Sequence, residues 1–173
     1  YKLMSLFLGI DFGTTGVRSS IIDKNKKELI NFSVSIDSPI SKGSLVYQNP
    51  SLWWSALIKN LTFLKTKIEL NKIERLSIDG TSGTILITDH SGNPLDNALM
   101  YNDASAVKES KLVESISDNH PIVSTSTNAL VRALSLINKL KKEKYRILHQ
   151  ADWIACKIID DYMYSDENNA LKL

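Results

Sequence analysis

A strand that ends in an acid, then breaks into a bend of two glycines and two threonines, constrains this chain more than any other feature. Leu6 to Ile10 is an apolar run. Asp11-Phe12-Gly13-Thr14-Thr15-Gly16 follows, and Val17 to Asp23 reads as a second strand. A plain hairpin has no need of that composition, whereas a phosphate does. Gly13 and Gly16 let the backbone come close to an anion and admit positive φ. Successive N–H groups in such a bend form an anion-binding nest, and the Thr14 and Thr15 hydroxyls add donors. Asp11 suits a magnesium ion, which prefers oxygen ligands and keeps much of its hydration. The alternative is a hairpin with a convenient polar turn. Arg18 lies within reach of the bend and reads either as a phosphate contact or as a solvated strand residue. The pattern is neither G-x-x-x-x-G-K-[ST] nor strand–GxGxxG–helix, so neither a P-loop nor a dinucleotide fold is indicated.

Composition narrows the function classes. A length of 173 residues suits one domain or a piece of a larger protein. A net charge of +2 gives no electrostatic case for nucleic acid or a membrane surface. The lysines at 24, 26 and 27, and those at 139, 141, 142 and 144, read as solvated faces. The single cysteine, Cys156, rules out an internal disulfide and fits a reducing cytosol, so a cytoplasmic location is expected. Met4 to Ile10 is too short for a secretory signal, and no apolar stretch approaches the roughly 20 residues of a spanning helix. Tyr1-Lys2-Leu3 precedes a Met4 suited to initiation, so residues 1–3 read as a remnant. His90, His120 and His149 lack metal-ligand spacing.

The periodicity predicts an α/β domain. Leu6–Ile10, Val17–Asp23 and Glu28–Ile36 read as three consecutive antiparallel strands. A loop with Ser38, Pro39 and Gly43 follows. Asn49-Pro50 then opens a helix with Trp54, Leu57, Ile58, Leu61, Leu64 and Ile68 on its buried face. Ile73–Asp79 and Thr84–Asp89 read as strands, His90 to Pro94 as a turn, and Ala98–Tyr101 as a further strand. Helices are expected at Lys108–Ile116, at Ala129–Leu140 with Asn128 as cap, and from about Gln150 to Ile159. Together they imply a mixed sheet covered by helices.

Two more polar segments carry chemistry. Asp79-Gly80-Thr81-Ser82-Gly83-Thr84 runs from a strand into a small bend whose hydroxyls and backbone groups suit a polyol, or simply make a turn. Met100-Tyr101-Asn102-Asp103 ends in a carboxylate that could accept from vicinal hydroxyls or cap the next helix.

Asp11 to Gly16, between two strands, resembles the first phosphate loop of the actin-like ATPase superfamily, which sugar kinases, glycerol kinase, Hsp70 chaperones and actin share. The order of Gly9 to Thr15, Ile78 to Thr84, Asp89 to Leu95, Met100 to Asp103, and Ala151-Asp152-Trp153-Ile154 followed by Ser165 to Ala170 resembles the amino-terminal domain of FGGY carbohydrate kinases. The resemblance runs from Leu6 to Leu173. It implies a ribonuclease-H-like α/β domain with a mixed sheet flanked by helices, half of a two-domain kinase that closes over ATP and a sugar. It further implies that Gly13, Thr14, Thr15 and Arg18 bind the ATP phosphates and Asp11 the magnesium. Asp79, Thr81, Ser82, Gly83 and Asp103 would contact the substrate.

Glycerol kinases carry an Arg-Glu pair at the positions of Ser82 and Gly83, and xylulokinases carry Ser-Gly-Gln-Met-His-Gly in place of residues 79–84. Asp-Gly-Thr-Ser is similar to the pattern of ribulokinases and D-ribulose kinases. A ketopentose is therefore expected, D-ribulose before D-xylulose. Tyr101 stands where a Trp is common, and Ala104-Ser105 depart from the usual residue-Arg pair. The family's general-base aspartate is expected beyond Leu173, so residues 1–173 hold no catalytic residue and are expected to be inactive alone. No nucleic-acid or membrane partner is implied, and a homodimer stays open. An Hsp70- or actin-like ATPase shares only the first loop. A ribonuclease-H-type nuclease needs converging carboxylates and a basic face that the sequence does not offer. A noncatalytic sugar- or nucleotide-binding module is the remaining alternative.

Overall fold

Alternation of apolar and polar residues at the start of the chain builds one sheet, and a second sheet forms from segments whose signals are shorter. The computed structural model describes residues 5–118, 122–140 and 144–173. His120, Pro121, Lys141, Lys142 and the expected remnant at 1–3 lie outside them. In chain order the elements are β1 (Leu6–Phe12), β2 (Gly16–Asp23), β3 (Glu28–Ser35), β4 (Ile40–Lys42), β5 (Leu45–Gln48) and α1 (Pro50–Lys65). A 3-10 turn leads into β6 (Ile73–Gly80), β7 (Ile85–Thr88) and β8 (Ala98–Leu99). They are followed by α2 (Val107–Ile116), α3 (Ala129–Leu140), β9 (Arg146–His149), α4 (Gln150–Ile159) and α5 (Glu167–Ala170). The chain divides into two compact units, Tyr1–Ser38 with Ser51–Gly80, and Pro39–Pro50 with Thr81–Leu173.

The first unit is a mixed sheet in the order β3-β2-β1-β6, with β1 to β3 antiparallel as expected and β6 parallel to β1. Period-two alternation decides its faces: Leu6, Leu8, Ile10 and Phe12 of β1 are buried with Val17 and Ile21 of β2. Helix α1 covers that face, but not with the expected stripe. Trp53, Ala56, Leu57, Asn60 and Leu64 are buried, while Ile58 is 46% exposed. The reason is Asn60, a polar residue that a hydrophobic-stripe reading skips. Its Oδ1 accepts from Ser19 Oγ at 2.8 Å and its Nδ2 donates to the Val17 carbonyl at 3.3 Å. A satisfied polar pair can be buried where an unpaired one cannot. Phe63 of α1 stacks on Phe32 of β3, with ring centroids 3.8 Å apart.

The second unit holds a separate antiparallel sheet in the order β4-β5-β8-β7-β9. The expected mixed sheet is thus that of the first unit, and a second, antiparallel sheet stands in the second. The expected loop at 38–43 is part of a hairpin: Lys42 pairs with Leu45, and Gly43 at φ +62 makes the two-residue turn between them. Ile85, Ile87 and Leu99 of the sheet pack against Ala129, Ala133 and Leu136 of α3. Asn128 Oδ1 accepts from Leu130 N at 2.9 Å, which confirms the expected cap.

The Asp89–Asn93 turn is pinned from outside itself. Trp153 Nε1 donates to the Gly92 carbonyl at 2.8 Å. Gly92 has φ +75, and a Cβ there would stand 1.9 Å from Tyr162 Cζ. Gly92→Ala is therefore expected to cost about 1–3 kcal/mol from overpacking and backbone strain together. Urea unfolding monitored by Trp fluorescence measures it; an unchanged midpoint would refute the steric account.

Candidate functional site

The first unit carries the glycine–threonine bend between β1 and β2. Gly13 N donates to the Gly16 carbonyl at 3.0 Å and closes the bend, and Ile36 N donates to the Thr15 carbonyl at 3.0 Å. The expectation of positive φ is corrected here. Among the described glycines, Gly43, Gly83 and Gly92 have it, and Gly13 and Gly16 do not. What these two supply is room. A Cβ on Gly13 would meet the Gly16 carbonyl oxygen at 3.3 Å, and one on Gly16 would meet that of Val34 at 3.3 Å. A polar concavity of about 330 Å³ borders the bend, lined by Asp11, Gly13, Thr14, Thr15, Gly16 and Arg18, with Ser33 to Ser35 closing it. Thus the five residues expected at phosphate and metal line one hollow.

Antiparallel register sets Arg18 opposite Asp11, with Arg18 Nη1 3.9 Å from Asp11 Oδ2. Both side chains are more than half exposed, so the pair is weak and an anion can displace it. Parallel register sets Asp79 beside Asp11 on the neighbouring strand. Asp79, expected among the sugar contacts, stands in the first unit, because β6 stays paired with β1 through Gly80. Asp11, Arg18, Ser77 and Asp79 border a second hollow of about 260 Å³. Two carboxylates on adjacent strands are oxygen donors for a hydrated hard cation. Among the described residues no group of three or more His, Cys, Asp or Glu side chains converges. Asp11 and Asp79 are oxygen donors of the type that a magnesium ion takes.

The second unit carries Thr81 to Gly83 and Asp103. Thr84 N donates to the Thr81 carbonyl at 3.1 Å, and Gly83 at φ +79 occupies the third position, as a type II turn requires. Gln150 Oε1 accepts from Thr81 N at 2.8 Å, and Lys172 Nζ donates to Ser82 Oγ. Asp103 does not present a free carboxylate to a sugar. It is fully buried, with Oδ2 accepting from Val46 N at 2.7 Å and Oδ1 from Ser105 Oγ at 2.9 Å. Of the Met100–Asp103 segment, Tyr101 and Asn102 are the exposed members.

Behind the turn sit further buried polar residues, of which the sequence analysis named His149 and Asp152 but not Arg132 or Gln150. Arg132 of α3 is buried, and its guanidinium donates to the carbonyls of Gly83 and Met100 at 2.7 and 2.6 Å. Burial lowers its pKa to about 10, against the pull of Asp103. His149 is buried as well, and desolvation holds its imidazole below the ordinary value despite Asp152. Asp152 itself accepts from Ser165 Oγ at 2.7 Å and Asn169 Nδ2 at 3.0 Å, joining the Ala151–Ile154 and Ser165–Ala170 motifs. Arg132 stands in the apolar run Ala129–Leu134 at the start of α3, and that break was the available signal. Gln150 gave none.

The model of the FGGY family of carbohydrate kinases, N-terminal domain, matches residues 6–166. The chain belongs to the FGGY family. This FGGY domain is 23% identical over 179 residues to a xylulose kinase of Staphylococcus xylosus, covering 96% of this chain and 36% of that one. It is 27% identical over 150 residues to a glycerol kinase of Aquifex aeolicus, covering 81% and 30%. Among solved structures, Plasmodium falciparum glycerol kinase with ADP superposes with a TM-score of 0.79 at 18% identity, over 98% of this chain and 37% of that one. A xyloylose kinase from Brucella ovis gives 0.74 at 18% identity, over 87% and 34%. The domain therefore has the actin-like ATPase fold, and it spans about a third of the length of these relatives. No helix among the described residues is long and apolar enough to cross a membrane.

Proposed function

We propose that this FGGY domain is the amino-terminal part of a cytoplasmic kinase that transfers the γ-phosphoryl group of ATP to a terminal hydroxyl of a ketopentose. D-ribulose is the first candidate and D-xylulose the second. The observation that carries the reading is the single hollow lined by Asp11, Gly13, Thr14, Thr15 and Arg18, with Asp79 in register beside Asp11. Phosphoryl transfer asks for positioning and charge neutralisation rather than covalent chemistry. Magnesium supplies charge neutralisation when bound, and Asp11 and Asp79 are the residues that would hold it. Thr14 and Thr15 offer hydroxyls to phosphate oxygens, the close-packed glycines let the backbone approach them, and Arg18 adds a guanidinium at the rim.

The sugar is argued from the second unit. Ser82 and Gly83 stand where glycerol kinases carry Arg-Glu, which disfavours glycerol. Relatives named as xylulose kinases support a pentulose. With Asp103 buried, the exposed Ser82, Tyr101 and Asn102 are the side chains left to meet hydroxyls. The test is an ADP-release assay of the full-length protein over pentuloses, pentitols and glycerol. D-ribulose is expected to give the highest kcat/KM, and no phosphorylated product from any polyol would end the proposal. Residues 1–173 assayed beside it are expected to show no turnover, since half a cleft leaves its ligands wet. Comparable turnover by the two would place the general base inside this chain.

A further inference from the structure

Arg132 lies in α3 at 1% exposure, and every hydrogen bond described for its guanidinium ends on a main-chain carbonyl. Nη2 donates to Gly83 at 2.7 Å, and Nη1 to Met100 at 2.6 Å and Leu99 at 3.3 Å. Nε donates to Thr127 at 3.2 Å. Gly83 belongs to the turn that carries Ser82, and Met100 directly precedes Tyr101 and Asn102. A second tie joins the same two segments, because Tyr101 N donates to the buried Thr84 Oγ1 at 3.3 Å. The neighbours Val131, Ala133 and Leu136 fill their share of the core without charge. A helix that had only to pack would hold an aliphatic residue at 132 too, since burying a cation is costly unless its donors are used. The planar fork fixes both the distance and the direction of the carbonyls it holds, which an ammonium on a flexible stem does not.

We propose that Arg132 is a positioning residue for the sugar: its guanidinium locks the Thr81–Thr84 turn to the Met100–Asp103 segment, so that Ser82, Tyr101 and Asn102 are held in one arrangement. The inference rests on the sugar-kinase reading and deepens it. The residue does not itself touch the sugar; it acts through the two backbone segments it ties.

The test compares wild type, Arg132→Lys and Thr84→Val in the full-length protein. The readouts are steady-state kinetics, equilibrium binding of D-ribulose and D-xylulose, and amide hydrogen exchange without ligand. Arg132→Lys is expected to raise the sugar KM and Kd roughly ten-fold, which is the effect of losing one strong hydrogen bond. The KM for ATP is expected to stay within about two-fold, because the loss is confined to sugar binding. Amides at 82–84 and 101–103 exchange faster. Thr84→Val moves the same quantities in the same direction by less, and it carries the test alone if Arg132→Lys does not fold. Unchanged exchange overturns the proposal, and so does faster exchange with unchanged sugar affinity. A wild type that phosphorylates no sugar removes the kinase reading instead. The binding and exchange comparison then still decides what Arg132 positions, and equal sugar affinity or no sugar binding counts against it.

Discussion

Asp103→Ala is expected to cost up to about 3 kcal/mol of stability, the penalty for leaving buried donors without their acceptor. The carboxylate is fully buried and accepts from Val46 N and from both N and Oγ of Ser105. It also faces the buried charge of Arg132 electrostatically, raising a pKa that burial has lowered to about 10. That value leaves the guanidinium charged at neutral pH, so alanine would strip the main-chain donors of their acceptor and leave the cation without its counter-charge. Asp103→Asn keeps the shape and one acceptor oxygen, and should lie between wild type and alanine. Urea midpoints for the three proteins measure the series. If alanine and asparagine both cost under about 1 kcal/mol, Asp103 is not balancing Arg132 and the cost is only that of ordinary hydrogen bonds.

The same residue shows why part of the site was legible in the sequence and part was not. Asp103 was read as a sugar contact because a carboxylate after a strand has no local feature that says whether it points in or out. Its acceptor role depends on Val46, 57 positions away, and no short-range pattern encodes that. The bend between β1 and β2 was legible because its physics is local. A strand, an acid and close-packed glycines are all contiguous, and register then adds Arg18 across the hairpin at no further distance in sequence. Asp79 needed the parallel pairing of β6 with β1, which joins residues 68 apart in register and follows only from topology.

At the level of the fold, long periodic segments were recovered: β1, β2, β3, α3 and α4 lie where alternation or helical spacing puts them. The short strands β4, β5 and β9 were not, because three or four residues give few repeats of a period-two pattern, whereas the equally short β7 stood out as a fully apolar run at Ile85–Ile87. Gly43, which makes the hairpin turn, was read with Ser38 and Pro39 as one loop. In α1 the expected stripe held at Leu57 and Leu64 but missed Asn60, which is polar yet buried against Ser19. Hydrogen bonding, rather than hydropathy, decided which face turned inward.

Asp11→Ala is expected to lower kcat of the full-length protein by about 10²–10³, the magnitude seen when one preorganised electrostatic contact to a developing charge is removed. Asp11 is exposed at the end of β1 and its only described ion pair is the loose one with Arg18, so its loss leaves the sheet intact. The unfolding midpoint should therefore stay close to wild type, which separates chemistry from folding. Thr14→Val, nearly the same shape without the hydroxyl, should lower kcat in the same sense by a smaller factor. Both substitutions act on the phosphate hollow of the first unit, whereas the proposed sugar contacts belong to the second. The KM for the sugar should consequently move little, while the magnesium concentration needed for half-maximal rate rises for Asp11→Ala and not for Thr14→Val. That split is the decisive part. Binding energy realised only as charge develops appears in kcat, and binding shared by ground and transition states appears in KM. A loss confined to the sugar KM would mean that the bend is not a phosphate site, and the strand that ends in Asp11 would have to be explained as a hairpin after all.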